Sequence, residues 1–152
     1  MFKTDLVIFD LEYGDTHISD TRHGMPSILE IGCVRVNKKG EVAGKLQVLV
    51  KPMYPEDFTP RIQQLTTITP EEMSLHGVEW KEAYEQFCEF ARRTHLASWS
   101  HVDPILLRYQ VNYAGMQFRH TNRCLDLWSV LHALEESKVS DEEEEVFELH
   151  EF

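Results

Sequence analysis

Residues 6–12 of the chain read LVIFDLE, an apolar run that leads directly into two carboxylates, Asp10 and Glu12. The apolar residues are typical of a short buried strand, which we predict over Leu6–Asp10. Because alternate residues of a strand face the same side, Asp10 and Glu12 are expected to project together. Neighbouring carboxylates repel each other unless a cation lies between them, and Mg²⁺ or Mn²⁺ is the usual solution. The alternative is that the strand ends in solvent and both acids are merely exposed.

The length of 152 residues fits one domain with a hydrophobic core. No stretch approaches the roughly 18 apolar residues of a membrane span, and the N-terminus has no signal-peptide pattern. We therefore expect no membrane association and a cytoplasmic location. The cysteines Cys33, Cys88 and Cys124 are widely spaced and are expected to be free thiols in a reducing compartment.

The net charge of −11 is unevenly distributed. Residues 135–152 hold nine acids and one lysine, so residues 1–134 carry a net charge of only −3. This distribution predicts a folded domain over residues 1–136 and an acidic C-terminal segment over 137–152. The charge argues against binding of duplex nucleic acid through a broad basic face, but it leaves room for a small site that grips a few phosphates through metal ions.

The rest of the sequence predicts strands that alternate with helices. The predicted later strands are Ile28–Val36, Glu41–Val50, Leu96–Ser100 and Asn122–Leu125, the first two forming an antiparallel hairpin. Helices are predicted from Pro70 to Gly77, from Trp80 to about Arg93, from Asp103 to near Gly115 and over Asp126–Glu136. Gly14–Pro26 and Pro52–Pro60 are predicted to be loops. This order indicates an α/β domain with a mixed sheet.

A second acidic stretch, ASWSHVDP at residues 97–104, places Asp103 where a short strand leads into a helix. Asp103 is a candidate third ligand to a cation held by Asp10 and Glu12. The alternative is that Asp103, which precedes Pro104, simply caps the N-terminus of the helix.

Taken together, the motifs resemble the DEDD exonucleases of the RNase T and polymerase-proofreading superfamily, most closely the branch with the histone-mRNA 3′-exonucleases. The matches run in order along roughly residues 5 to 130: FDxE at residues 9–12, EIG at 30–32, LT-x-I-T at 65–69, SWG-x-x-D-P at 98–104 and the following strand-to-helix segment at 124–127. Two residues depart from the pattern, because Thr67 and Ser100 stand where glycine is common.

The resemblance implies a ribonuclease H-like fold, a mixed sheet flanked by helices, and 3′→5′ exonuclease activity on single-stranded RNA or DNA ends. It implies two Mg²⁺ or Mn²⁺ ions bound by Asp10, Glu12 and Asp103, which are also the predicted catalytic residues. The residues expected to contact the terminal nucleotide are Leu11, Tyr13, Met25, Leu65, Thr66 and Trp99.

The family's third motif, a C-terminal helix with a general-base His and a ligand Asp at His-x₄-Asp spacing, does not occur after any of the eight histidines. The fold is therefore predicted to lack that helix. Three explanations stay open: the chain is cut short, it is a short form that binds nucleic-acid ends with weak or no cleavage, or a partner chain completes the site. Asp126 is a possible substitute ligand, although a helix N-cap is its more ordinary role. A further alternative is an α/β domain that binds an unrelated partner through its acidic tail.

Overall fold

A computed structural model of the chain describes residues 3–99, 101–120 and 124–136. These residues contain a five-stranded mixed sheet with the strand order β3-β2-β1-β4-β5. The strands are β1 (Leu6–Tyr13), β2 (Ile28–Val36), β3 (Val42–Leu49), β4 (His95–Ser98) and β5 (Cys124–Asp126). β1, β2 and β3 are antiparallel neighbours, whereas β4 is parallel to both β1 and β5. The predicted mixed sheet and its hairpin are confirmed.

Six helices accompany this sheet within the described ranges. They are α1 (Thr16–Thr21), α2 (Pro60–Thr66), α3 (Pro70–His76), α4 (Trp80–Phe90), α5 (Val102–Tyr113) and α6 (residues 127–136). A 3₁₀ turn spans Pro55–Asp57. No helix among the described residues is long and apolar enough to cross a bilayer.

β1 is the central strand, and the alternation of its side chains places apolar residues on the core face and the two acids on the opposite face. Val7, Phe9 and Leu11 are buried in the main hydrophobic core. The ring of Phe9 packs edge-on against Phe87 of α4, with ring centroids 5.5 Å apart. Since the intervening residues point to the other face, Asp10 is exposed and Glu12 half-buried. The apolar half of β1 thus fixes the direction in which both acids project.

β1 is longer than the predicted Leu6–Asp10. Its pairing with β2 continues through Asp10, opposite Gly32, and ends at Tyr13, opposite Ile28. Its pairing with β4 stops earlier, at Phe9 opposite Ser98. The acids therefore do not follow the strand. Asp10 and Glu12 lie within β1, in the part of the strand that still pairs with β2 on one edge but no longer pairs with β4 on the other.

The first predicted loop contains the helix α1, so that prediction was wrong in part, and the second predicted loop leads at Pro60 into α2, a helix that was not predicted. In the first, Asp15 caps α1 by accepting a hydrogen bond from the His17 amide at 3.1 Å. In the second, Thr59 caps α2, and its hydroxyl accepts from the Ile62 amide at 3.3 Å. The predicted capping box of α3 at Thr69 is confirmed. The missed helix α2 begins with the same Thr–Pro pair as α3.

A buried ion pair joins the two former loops. Arg22, just after α1, donates two hydrogen bonds of 2.7 Å to the carboxylate of the fully buried Asp57. The backbone amide and hydroxyl of Ser27 donate to the same carboxylate, each at 2.8 Å. These bonds hold the segment after β1 against the segment before α2. The two flanks of the acid-bearing strand end are thereby fixed relative to each other.

The C-terminal elements follow the sequence-based prediction closely. β5 and α6 occupy the places predicted for the last strand and helix, and Cys33, Cys88 and Cys124 are free thiols as expected. The acidic segment 137–152, and with it the question of a further C-terminal helix, lies outside the described residues. Ser100 and residues 121–123 lie outside them as well.

Candidate nuclease site

One pocket of about 380 Å³ gathers the three predicted metal ligands. Asp10 and Glu12 enter it from β1, beyond the end of β4, and Asp103 enters from the first turn of α5. The pocket is lined by Asp10, Leu11, Glu12, Tyr13, Ile62, Leu65, Thr66, Trp99 and Asp103. Residues far apart in the sequence are therefore brought to one place by the sheet edge, α2 and α5.

The three carboxylates differ in exposure, but none of them has a cationic partner among the described residues. Asp10 is exposed and Glu12 half-buried, whereas Asp103 has only 5% of its surface exposed. None of the three forms an ion pair with a Lys, Arg or His among the described residues. A buried carboxylate without a cationic partner is costly, so such a cluster requires protonation or an added cation.

Without a bound cation, the pKa values of Asp103 and Glu12 are raised, which favours the protonated forms of both carboxyl groups. Burial raises the pKa of Asp103 to about 7, and the charge of Asp10, a hydrogen bond with Asp10 and the charge of Glu12 add to the effect. Burial, the charge of Asp10 and the charge of Glu30 raise the pKa of Glu12. Glu30 faces Glu12 directly across the β1–β2 pairing. It belongs to the EIG stretch but was not a predicted site residue, although the hairpin register could have revealed it.

The donor chemistry suits a hard divalent cation, because carboxylate oxygens are the ligands that Mg²⁺ and Mn²⁺ prefer. The side chains are not yet gathered around a common point, since no group of three His, Cys, Asp or Glu residues in the described ranges is close enough to enclose one ion. The cluster thus supplies the right type of ligand in one pocket without a closed coordination shell.

Asp103 is not the N-cap of α5, which corrects the alternative assigned to it. The cap position is His101, and Asp103 lies inside the first helical turn. A carboxylate at that position also favours the helix through its dipole. Its burial beside two other acids is not explained by capping.

Five of the six predicted nucleotide contacts line the pocket. They are Leu11, Tyr13, Leu65, Thr66 and Trp99. Met25 does not line it, and packs instead against the main hydrophobic core. The pocket adds Ile62, which the sequence analysis missed because it predicted no helix between the Pro52–Pro60 loop and Pro70. At helical spacing, Ile62, Leu65 and Thr66 fall on one face of α2.

A comparison with known families identifies the chain. The profile of the RNase_T exonuclease family matches residues 7–141. The chain belongs to the RNase_T exonuclease family. No match to a curated protein sequence reached significance.

Solved structures of exonucleases share this fold. E. coli exonuclease I in complex with a dT13 oligonucleotide superposes with a TM-score of 0.67 and 19% identity, over 86% of this chain and 29% of that chain. The nuclease domain of 3′hExo, a DEDDh family member bound to rAMP, gives 0.61 and 15%, over 75% and 61%. A 3′-exonuclease solved for recognition of the histone mRNA stem-loop gives 0.65 and 15%, over 78% and 56%. The chain thus spans less than a third of exonuclease I, and these likenesses establish the ribonuclease H-like exonuclease fold.

This exonuclease domain departs from the family pattern at Thr67, which follows α2. Its φ of 61° lies in the left-handed region. Glycine adopts that region freely, whereas a β-branched residue is strained there by about 1–2 kcal/mol. The glycine common in the LT-x-I-T element therefore has a conformational reason, and Thr67 keeps the conformation without the glycine.

Asp126, the possible substitute ligand, caps α6 in this exonuclease domain. Its carboxylate accepts hydrogen bonds from the amides of Trp128 and Ser129, at 3.1 and 3.2 Å, and from the Ser129 hydroxyl at 2.9 Å. These bonds lower the pKa of Asp126, and it does not line the pocket of the three acids. No histidine of the described ranges lines that pocket either.

Proposed function

We propose that the chain is a metal-dependent 3′→5′ exonuclease module that removes nucleotides from single-stranded RNA or DNA ends. The observation that carries the proposal is the convergence of Asp10, Glu12 and Asp103 on one pocket without a cationic partner in the described residues. Such a cluster is destabilising unless it has a cationic ligand, and family membership gives that ligand a catalytic purpose.

Asp10, Glu12 and Asp103 would hold the ions, Mg²⁺ or Mn²⁺. Asp10, whose charge acts on Asp103, would share the binding of the ions with it. When bound, two such ions supply positive charge at the scissile phosphate and make water a better nucleophile at neutral pH. β1 and α5 fix the backbone positions of these residues, so the rearrangement needed to bind an ion would be confined to their side chains.

The apolar residues beside the acids would hold the last base of the strand. Leu65 is 67% exposed and Trp99 is 54% exposed, and both line the same pocket. Ligand pockets typically combine apolar walls with a few polar groups, as this pocket does. A nucleotide combines the required properties, since its base can pack on Leu65 and Trp99 while its phosphate reaches the ions.

The described residues of this pocket do not include a histidine that could act as the general base. The His-x₄-Asp motif is also absent from the 152 residues. Loss of a general base alone lowers a rate by about 10²–10⁴. We therefore propose slow turnover by this chain, and faster turnover if a partner protein supplies the base.

A nuclease assay tests the proposal. A 5′-labelled single strand is incubated with Mn²⁺ or with EDTA, and with wild type, Asp10→Asn or Asp20→Asn, the last being a control on the exposed side of α1. We expect a ladder of shortened products that requires Mn²⁺, is lost in Asp10→Asn and persists in Asp20→Asn. Cleavage in EDTA, or equal cleavage by Asp10→Asn, contradicts the proposal.

The second candidate is a binding module on the same fold that holds nucleic-acid ends or a protein partner without cleaving. It is motivated by the absent His-x₄-Asp motif. Calorimetry with a nucleoside monophosphate and Mn²⁺ separates the two candidates when combined with long incubation of an oligonucleotide. Binding without any product favours the module, whereas robust turnover by the 152-residue chain excludes it.

A further inference from the structure

The pairing between β1 and β2 contains a bulge beside the site acids. Glu12 lies opposite Glu30, whereas the next residue of β1, Tyr13, lies opposite Ile28. Leu29 is therefore an extra residue on β2, and it bends the strand locally. Glu12 and Tyr13, between which the register shifts, both line the pocket of the three acids. The bulge thus lies at the edge of that pocket.

The extra residue of the bulge holds α2 in place. Leu29 is fully buried and belongs to a separate hydrophobic cluster with Ile62, Ile68 and Met73. Ile62 lies on α2 and lines the pocket of the three acids. The bulge therefore packs against the helix that supplies the apolar wall of the pocket.

The other residue of the bulge is bonded to α5. The backbone amide of Ile28 donates a hydrogen bond of 2.8 Å to Oε1 of Gln110. Gln110 is only 2% exposed and lies on the buried face of α5, among leucine and valine side chains of the core. Seven residues, or two turns, separate it from Asp103, so the two side chains lie on the same face of the helix, about 10 Å apart along its axis. The bond connects the bulge with the helix that carries Asp103.

Gln110 is an unfavourable residue for the packing of the core. Its Nε2 atom is buried and has no hydrogen-bond partner among the described residues. A buried amide with an unpaired donor is destabilising, and an apolar side chain of the same size would avoid that cost. An apolar side chain would also leave the Ile28 amide without its acceptor. The bond to Ile28 therefore accounts for Gln110, whereas core packing does not.

We infer that Gln110 is a positioning residue of the proposed metal site and acts through its bond to the bulge at Leu29. The inference rests on the proposed function, because it takes the three acids to be ligands of a cation. β1 supplies Asp10 and Glu12 and α5 supplies Asp103, so the distance between the acids depends on how α5 is held against the β1–β2 hairpin. Apolar packing is non-directional, whereas a hydrogen bond fixes the helix at one point along its axis.

Variants of Gln110 test the inference through the affinity for Mn²⁺. Gln110→Met keeps a side chain of similar length but removes the acceptor, and Gln110→Asn withdraws the acceptor by one carbon. Gln110→Glu retains an acceptor oxygen at the same reach. The matched control is Tyr84→Phe, because the hydroxyl of the fully buried Tyr84 also accepts from a backbone amide, that of Arg119 at 2.9 Å, and does not line the pocket.

Each protein is titrated with Mn²⁺ by calorimetry at a temperature where circular dichroism shows it folded. We expect Gln110→Met to bind Mn²⁺ about 3- to 30-fold more weakly than wild type, the range for a residue that acts on a site without touching its ligand. Gln110→Asn should lie between them, and Gln110→Glu and Tyr84→Phe should stay within twofold of wild type. Thermal unfolding in EDTA should show similar losses for Gln110→Met and Tyr84→Phe, since each leaves one buried amide without its acceptor. A general loss of stability then cannot explain a difference in Mn²⁺ affinity.

Unchanged Mn²⁺ affinity in Gln110→Met overturns the inference and leaves the proposed function standing. If Gln110→Met does not fold, unchanged affinity in Gln110→Asn overturns it instead. A loss in Gln110→Glu or in Tyr84→Phe as large as that in Gln110→Met also overturns it, because the acceptor at this position is then not the cause. If wild type does not bind Mn²⁺, the proposed function fails and the inference fails with it.

Discussion

The carboxyl group of Asp103, in the first turn of α5, shares one pocket with the carboxylate of Asp10 on β1. Burial, and after it the charge of Asp10, raise the pKa of Asp103 to about 7, so the protein alone favours a proton on Asp103 where a cation would otherwise balance the charge. This proximity exists because β4 stops at Ser98, opposite Phe9, and leaves Asp10 open toward the helix that follows β4. The proximity of these two acids thus lowers the free energy of unfolding, and the packing of the fold does not require either of them.

This proximity predicts how stability depends on pH in the absence of metal. The pKa of Asp103 is raised to about 7, whereas an aspartate in the unfolded chain has a pKa of about 3.9, so between about pH 4 and 7 the folded state binds a proton that the unfolded state has lost. The free energy of unfolding must therefore fall as pH rises through this range. Asp103→Asn removes the fall and should stabilise the protein at pH 8 by about 1–3 kcal/mol.

Urea unfolding in EDTA at several pH values measures this effect, with Asp20→Asn as the control. Its carboxylate is on an exposed residue of α1 outside the pocket, so it should keep the wild-type pH dependence. Parallel curves for wild type and Asp103→Asn would show that the Asp103 carboxyl does not hold this proton.

The strained backbone after α2 gives a prediction about stability alone. Thr67 has a φ of 61°, and Thr67→Gly relieves the strain at the cost of extra entropy in the unfolded chain. We expect a net gain of about 0.5–1 kcal/mol in the free energy of unfolding. Thr66→Gly, one residue earlier and still helical, should instead lose about 1 kcal/mol. Thermal unfolding of both variants measures these changes. A lower free energy of unfolding in both variants would mean that Thr67 is not strained.

Asp126 is predicted to act on the stability of the domain and not on the metal. Asp126→Ala removes the cap of α6 and should cost about 0.5–2 kcal/mol, whereas Asp126→Ser retains a capping oxygen and should cost less. Both variants should bind Mn²⁺ with the affinity of wild type. A tenfold weaker Mn²⁺ affinity in both variants would instead make Asp126 a ligand.

The sequence predicted the strands well, and it singled out three acids that the structure brings to one pocket, because each of these features carries a local signal. The alternation in residues 6–12 identifies β1 and the common side of Asp10 and Glu12, and Thr69-Pro70 identifies the start of α3. The same Thr–Pro signal at Thr59-Pro60 was hidden among neighbouring prolines, so α2 and the pocket residue Ile62 were missed. Local signals find an element only when the neighbouring sequence does not point elsewhere.

Other features depend on contacts that are distant in sequence. The end of β1 was predicted too early because its last residues pair only with β2, and a carboxylate in the strand resembles a strand end. The helix α1 was read as a loop, since its position depends on the pairing of Arg22 with the buried Asp57. Met25 was placed near the nucleotide by its position in that loop, but the fold turns it toward the core.

The central claim is that Asp10, Glu12 and Asp103 together bind a divalent cation, and Mn²⁺ binding measures it most directly. Calorimetric titration of the protein at pH 7.5 should give saturable Mn²⁺ binding that Asp10→Asn weakens at least tenfold and Asp20→Asn leaves unchanged. Binding should also release protons at pH 6, because Asp103 is then largely protonated without metal. Equal Mn²⁺ affinity in wild type and Asp10→Asn, or no saturable binding at all, would contradict the account.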